Sequence, residues 1–164
     1  MPKNKYLNRK RKLNLKIDDN FIIALINNKE KNARHRIINS VENQKKIDNI
    51  YVDYNLMSPN EEEIKDSEIY INDIKVDFYY DFLFPDIGVY TIKYKFNRLL
   101  TSTSCMFFEC GPFLSLDFSN FNTEKVKNMS YMFTCYSELL ALDLSNFNTK
   151  NVIIWRICSI IVIL

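Results

Sequence analysis

From Asp18 to about Lys46 the apolar residues fall as they would on one face of a helix. Phe21, Ile22, Leu25 and Ile26 come first, and Ile37, Ile38 and Val41 resume the stripe beyond the polar stretch Asn27–Arg36. Asp18, Asp19 or Asn20 stands where an N-cap belongs, so the pattern predicts a helical segment over 17–48, either one interrupted helix or two. The period then changes. Ile50, Val52 and Tyr54 alternate as one side of a strand, and Ser58-Pro59 reads as a cap with proline in the first helical turn, where Glu61, Glu62 and Glu63 suit the helix dipole. Glu68 to Tyr79 and Val89 to Phe96 are rich in β-branched and aromatic residues, as strands are. Asn72-Asp73 splits the first run with a tight turn. Pro85-Asp86-Ile87-Gly88 turns the chain before the second, because proline presets φ and glycine accepts a positive one. Residues 49–98 are thus expected to form a β-rich cap unit. Its aromatic load, from Tyr70 through Tyr79 and Phe82 to Phe96, reads as core plus a docking face.

A segment written twice follows. Leu116-Asp117-Phe118-Ser119-Asn120-Phe121-Asn122-Thr123 returns 26 residues later as Leu142-Asp143-Leu144-Ser145-Asn146-Phe147-Asn148-Thr149, and Met106-Phe107 returns as Met132-Phe133. Self-similarity at such a period marks stacked repeat arrays, which are binding scaffolds more often than active sites. Within the unit, alternation predicts a strand with Leu114, Leu116 and Phe118 inward and Ser115 and Asp117 outward. Ser119 to Thr123 breaks the strand with short polar side chains that bond local backbone. Val126, Met129, Met132 and Phe133 suit one or two helical turns behind it. The expected fold class is α+β: an N-terminal helical segment and a small β-rich cap, followed over 99–152 by about two units of a short leucine-rich-repeat-like solenoid.

These residues carry a family resemblance. The run from Leu114 to Phe133, introduced by Leu99-Leu100-Thr101-Ser102-Thr103-Ser104-Cys105-Met106-Phe107, resembles the repeat of the BspA-like leucine-rich-repeat surface-protein family. The resemblance covers residues 99–152; residues 50–98 are similar, less specifically, to the β-rich segment that precedes the repeats in eukaryotic members. It implies a non-enzymatic solenoid that binds proteins or mediates adhesion, often at a cell surface. Three departures stand out. Cys110 keeps the family's place four residues after the methionine, whereas Tyr136 holds it in the second unit and Cys135 comes one earlier. Pro112-Phe113 replaces small serines. After Asn151-Val152 the pattern gives way to an apolar tail, 153–164.

That tail is too short for a membrane anchor, which needs about 20 apolar residues, and Arg156 interrupts it. Ile160 to Leu164 reads as a final buried strand. A third reading starts from the codons. Written with the A/T-rich codons that abundant Lys, Asn and Ile suggest, the letters for this tail encode, in a shifted frame, Asn-Met-Glu-Asn-Met-Phe-Tyr-Asn-Cys. The repeat calls for that continuation, so the tail is expected to be a frameshift product of a truncated array. As a genuine end it would leave an uncapped apolar strand, and self-association through residues 153–164 is then expected.

Composition and charge narrow the function. The net charge of +2 sets up no overall field for nucleic acid, and only Gly88 and Gly111 occur, which excludes glycine-rich phosphate cradles. The basic arm 1–16, with Arg9, Lys10, Arg11 and Lys12 in succession, reads first as a solvated terminus and second as a nucleic-acid patch, the less favoured partner. Cys105, Cys110, Cys135 and Cys158 form no CxxC pair, and His35 lies far upstream of them, so neither a zinc site nor a Cys/His catalytic pair is indicated. Buried free thiols are the better expectation. Glu61, Glu62 and Glu63 diverge by about 100° each on a helix and cannot converge on one ion. No nucleophile with a base, cofactor fingerprint or metal cluster assembles, so the expectation is no enzyme and no cofactor. The favoured function is a protein-binding or adhesion-type module of unknown ligand, its contact face formed by Ser115, Asp117, Ser119, Asp143 and Ser145. The alternatives are a truncated fragment with no function of its own and nucleic-acid binding through the arm. Asp117 and Asp143 are expected to stack about 5 Å apart, unless each merely caps a turn. No secretory signal follows the basic start, which favours an intracellular location, while the resemblance allows a cell surface.

Overall fold

The computed structural model describes residues 20–47, 53–134, 139, 141–155 and 161–163. The basic arm 1–16, the start of the strand expected at 49–54, and Cys135 and Cys158 lie outside them. Within the described residues, nine strands and two short α-helices are ordered β1 (Phe21–Asn28), β2 (Ala33–Arg36), α1 (Val41–Ile47), α2 (Glu61–Lys65), β3 (Glu68–Ile71), β4 (Ile74–Val76), β5 (Asp81–Phe84), β6 (Gly88–Lys95), β7 (Phe113–Asp117), β8 (Ala141–Asp143) and β9 (Ile161–Ile163). The main sheet has five strands in the order β4-β3-β6-β1-β7, every neighbouring pair antiparallel. β2 and β5 form a second, antiparallel pair, and β8 and β9 a third, parallel one. Among the described residues no helix is long and apolar enough to cross a membrane.

The expected helical segment over 17–48 is corrected to two strands and the single helix α1. Ile22, Ala24 and Ile26 are fully buried at alternate positions of β1, a period of two. Phe21, Ile23 and Leu25, which point the other way, are apolar as well, and this hides the alternation in the sequence. Ser40, not an Asp or Asn near residue 19, starts the helix: its hydroxyl accepts from Asn43 N at 3.0 Å. Further along, α2 begins at Glu61 after Asn60, two residues later than Ser58-Pro59 suggests. The hairpin expected at Asn72-Asp73 is present, with both residues at positive φ (48° and 64°) as a two-residue primed turn requires. Gly88, at φ 152°, closes the turn into β6.

The solenoid is also corrected: among the described residues the chain builds a β-rich, mostly antiparallel fold, and no solenoid closes. The strand of the first repeat copy, β7, pairs antiparallel with β1 and not with β8. Pairing with β1 is favoured because β7 then extends the sheet over the core through Phe113 and Leu116, which are 1% and 8% exposed. A register shift between Leu25 and Ile26 leaves Leu114 without a partner, so Leu114 points outward, 43% exposed, contrary to the expected alternation. The two copies still meet along their Met-Phe segments. Thr103, Cys105, Phe107 and Glu109 donate backbone hydrogen bonds to the carbonyls of Asn128, Ser130, Met132 and Thr134, at 2.9 to 3.1 Å. Residues 124–133 form turns and an isolated bridge instead of helical turns.

One core runs through both halves, from Ile22, Ile92 and Tyr94 to Phe107, Phe118, Phe133 and Leu144. Val41, Met57, Cys105, Phe108 and Tyr131 make a smaller cluster beside it. Cys105 and Cys110 are free and buried, and burial pushes the Cys105 thiol up to about 12 and the Cys110 thiol well above its ordinary value. Because the thiolate is the nucleophile, both thiols are expected to be unreactive in the folded chain. Iodoacetamide at pH 8 followed by peptide mass mapping should leave both unmodified until denaturant is added; rapid labelling of either would contradict the burial.

Candidate functional site

β1 lies between β6 and the edge strand β7 of the main sheet, with one face on the core. The antiparallel registers fix what surrounds its outward residues. Ile23 stands opposite Lys93 of β6 on one side and Asp117 of β7 on the other. Leu25 stands between Thr91 and Ser115, and Phe21 faces Lys95. Beyond β6, Tyr70 pairs with Lys93 and Glu68 with Lys95, and Lys75 of β4 closes the row opposite Tyr70. Alternation places all these residues on the same side of the sheet. The result is a partly buried apolar row, Phe21-Ile23-Leu25, with cations on one flank and Ser115 and Asp117 on the other.

The flanks are electrostatically organised. Lys93 Nζ sits 4.2 Å above the centroid of the Phe21 ring, a cation–π contact. Glu68 takes the Tyr70 hydroxyl at 2.7 Å and Lys75 Nζ at 2.9 Å, and these two donors hold its carboxyl below the usual value. Lys95 Nζ approaches Glu68 at 3.9 Å, so one carboxylate serves two of the three cations.

Of the five residues singled out in the sequence, Ser115 and Asp117 belong to this face. Ser119 follows in the turn, and Asp143 and Ser145 sit on the second copy; all five are exposed. Asp117 accepts from the backbone N (2.8 Å) and the hydroxyl of Ser119. Asp143 accepts from Ser145 N at 2.9 Å, and that bond lowers its pKa. Both aspartates therefore cap turns two residues on. Asn122 and Asn148 do the same one corner later, to Glu124 N (2.9 Å) and Lys150 N (3.2 Å). β7 and β8 belong to different sheets, so the five do not line one continuous strand face as expected.

The remaining chemistry is dispersed. Glu61 binds Lys65 and Tyr80, Glu63 binds Thr101, and Glu62 is exposed, so the three acids part company. His35 Nε2 lies 2.9 Å from Asn28 Oδ1; Asn28 spends its amide protons on Glu30 O and Asp86 O, which makes His35 the donor. Burial lowers the pKa of His35, against the pull of Glu30. Sequence reasoning missed Phe21, Ile23 and Leu25 as surface residues. The signal was present: a β-branched run with no polar position on either side is what a strand with two apolar faces looks like.

Residues 92–156, from the later part of β6 through both repeat copies, are similar to the family described as "Mycoplasma protein of unknown function, DUF285". No curated protein and no solved structure matches the chain.

Proposed function

We infer that the chain is a protein-binding module without catalytic chemistry, and that the open face of the five-stranded sheet is its contact surface. The observation that supports this reading is the apolar row Phe21-Ile23-Leu25 on that face, rimmed by Lys93, Lys95, Ser115 and Asp117. A solvated sheet face is ordinarily polar. An apolar centre with a polar rim is instead the usual anatomy of a recognition surface. The BspA-like resemblance of residues 99–152 agrees with a binding or adhesion role.

The test is to cross-link proteins from an extract to the immobilised chain, purify the ligand and measure its affinity for the wild type and for two variants. Ile23→Lys should weaken binding at least tenfold, about 1.4 kcal/mol. Ile87→Lys, at a 62% exposed site in the turn before β6, should leave it unchanged. A ligand indifferent to Ile23→Lys would place the contact elsewhere, and retention of nucleic acid alone would end the protein-binding reading.

A further inference from the structure

The β2–β5 pair carries a second surface on a different sheet from the face above. Among the described residues β5 pairs with β2 alone, so its other edge has no strand beside it. An open edge presents backbone donors and acceptors to any extended chain, and folded proteins usually blunt it with charge or proline. β5 has Asp81 at its start and Pro85 directly after it, yet apolar surface remains between them. Leu83, in the middle of β5, is 47% exposed, and Tyr79, just before it, is 50% exposed. Five of the seven large apolar side chains exposed among the described residues fall between Ile74 and Val89, so this region is where apolar surface is concentrated.

Two shallow depressions adjoin here and share Tyr79 and Phe82. One reaches to Lys75, Val76 and Asp77, the other to Arg34 and Leu83. Their charges are not equivalent. Lys75 is held by Glu68 at 2.9 Å, and Asp81 by Arg36 at 3.6 Å. Arg34 and Asp77 make no side-chain hydrogen bond or ion pair among the described residues. An apolar centre therefore lies between one uncommitted cation and one uncommitted anion.

We propose that the open edge of β5 accepts an extended segment of a partner protein as an added strand, with apolar side chains over Tyr79 and Leu83, a carboxylate facing Arg34 and a cation facing Asp77. Strand addition takes its affinity from main-chain hydrogen bonds and its specificity from alternate side chains, which project to one face every second residue. A short segment with charges of opposite sign at its ends and apolar residues between them has the required chemistry. The site does not depend on the main-sheet face, and either reading can fail alone.

The probe is the peptide acetyl-Lys-Val-Phe-Val-Glu-amide, titrated into the isotope-labelled full chain and followed by amide NMR. Shifts and slowed exchange should centre on Asp81–Phe84. Arg34→Glu and Asp77→Lys, both at exposed positions, should each weaken binding at least fivefold. The double variant should recover it with the inverted peptide acetyl-Glu-Val-Phe-Val-Lys-amide. Shifts confined to β1 and β6, no shifts at all, or binding indifferent to Arg34 and Asp77 would overturn the proposal. Concentration-dependent shifts of residues 79–84 without peptide would also overturn it, because the edge would then be filled by a second copy of the chain.

Discussion

Phe107→Ala is expected to lower the free energy of unfolding by about 4 kcal/mol. The ring is fully buried and touches four other aromatic rings: Tyr94 at 5.4 Å, Phe113 at 5.8 Å, Phe118 at 6.2 Å and Phe133, nearly parallel, at 6.4 Å. Those four come from β6, from β7, from the turn after β7 and from the second repeat copy. Removing the ring opens a void where the main sheet and the repeats meet, and aromatic neighbours held by other contacts cannot all collapse into it. Urea unfolding of the two chains measures the difference. A fall in the midpoint at constant slope is the expected form, and Phe107→Leu should lose no more than about 1.5 kcal/mol because it keeps most of the volume. A loss below about 1 kcal/mol for the alanine variant would mean that the sheet and the repeats are not joined through this ring.

Asn60→Ala should follow, at about 3 kcal/mol. Asn60 is 3% exposed and satisfies three buried backbone groups at once. Its Oδ1 accepts from Val41 N at 3.0 Å, and its Nδ2 donates to Ser102 O at 3.3 Å and Ser104 O at 2.9 Å. Alanine leaves all three without a partner. Asn60→Asp separates this from a packing effect, since aspartate keeps the acceptor but sets a second oxygen against two carbonyls. The aspartate variant should be at least as unstable as the alanine one in the same urea experiment. An aspartate variant with a midpoint close to wild type would show that the donated bonds carry little.

Strands β3, β4 and β6 and the turns that join them could be read from the chain, because alternating β-branched residues, Asn72-Asp73 and Pro85-Gly88 act locally. The N-terminal segment could not. Its outward row is apolar, and Phe21, Ile22, Leu25 and Ile26 satisfy a helical period as well as Ile22, Ala24 and Ile26 satisfy a strand. The same ambiguity concealed the centre of the candidate face, whose flank at Ser115 and Asp117 was legible from the repeat. The 26-residue repeat was plain in the sequence, but its architecture depended on β7 choosing β1 over β8, a pairing between residues 94 apart that no local pattern encodes. The aromatic run from Tyr70 to Phe96 likewise gave no clue to its division. Phe84, Tyr94 and Phe96 are 0 to 1% exposed while Tyr79 stands half out, a distinction made by tertiary packing alone.

The place of β1 between β6 and β7 has a consequence for how the chain is made. Ile23 is synthesised well before its two strand partners: Lys93 and Asp117 follow it by 70 and 94 residues. At 5 to 20 residues per second, β1 waits about 4 to 14 s for β6 to be translated. Throughout that interval a run of apolar residues lacks both of its strand partners. Every nascent fragment that stops short of Gly88 is in the same condition, so β1 has no strand to pair with until β6 follows it.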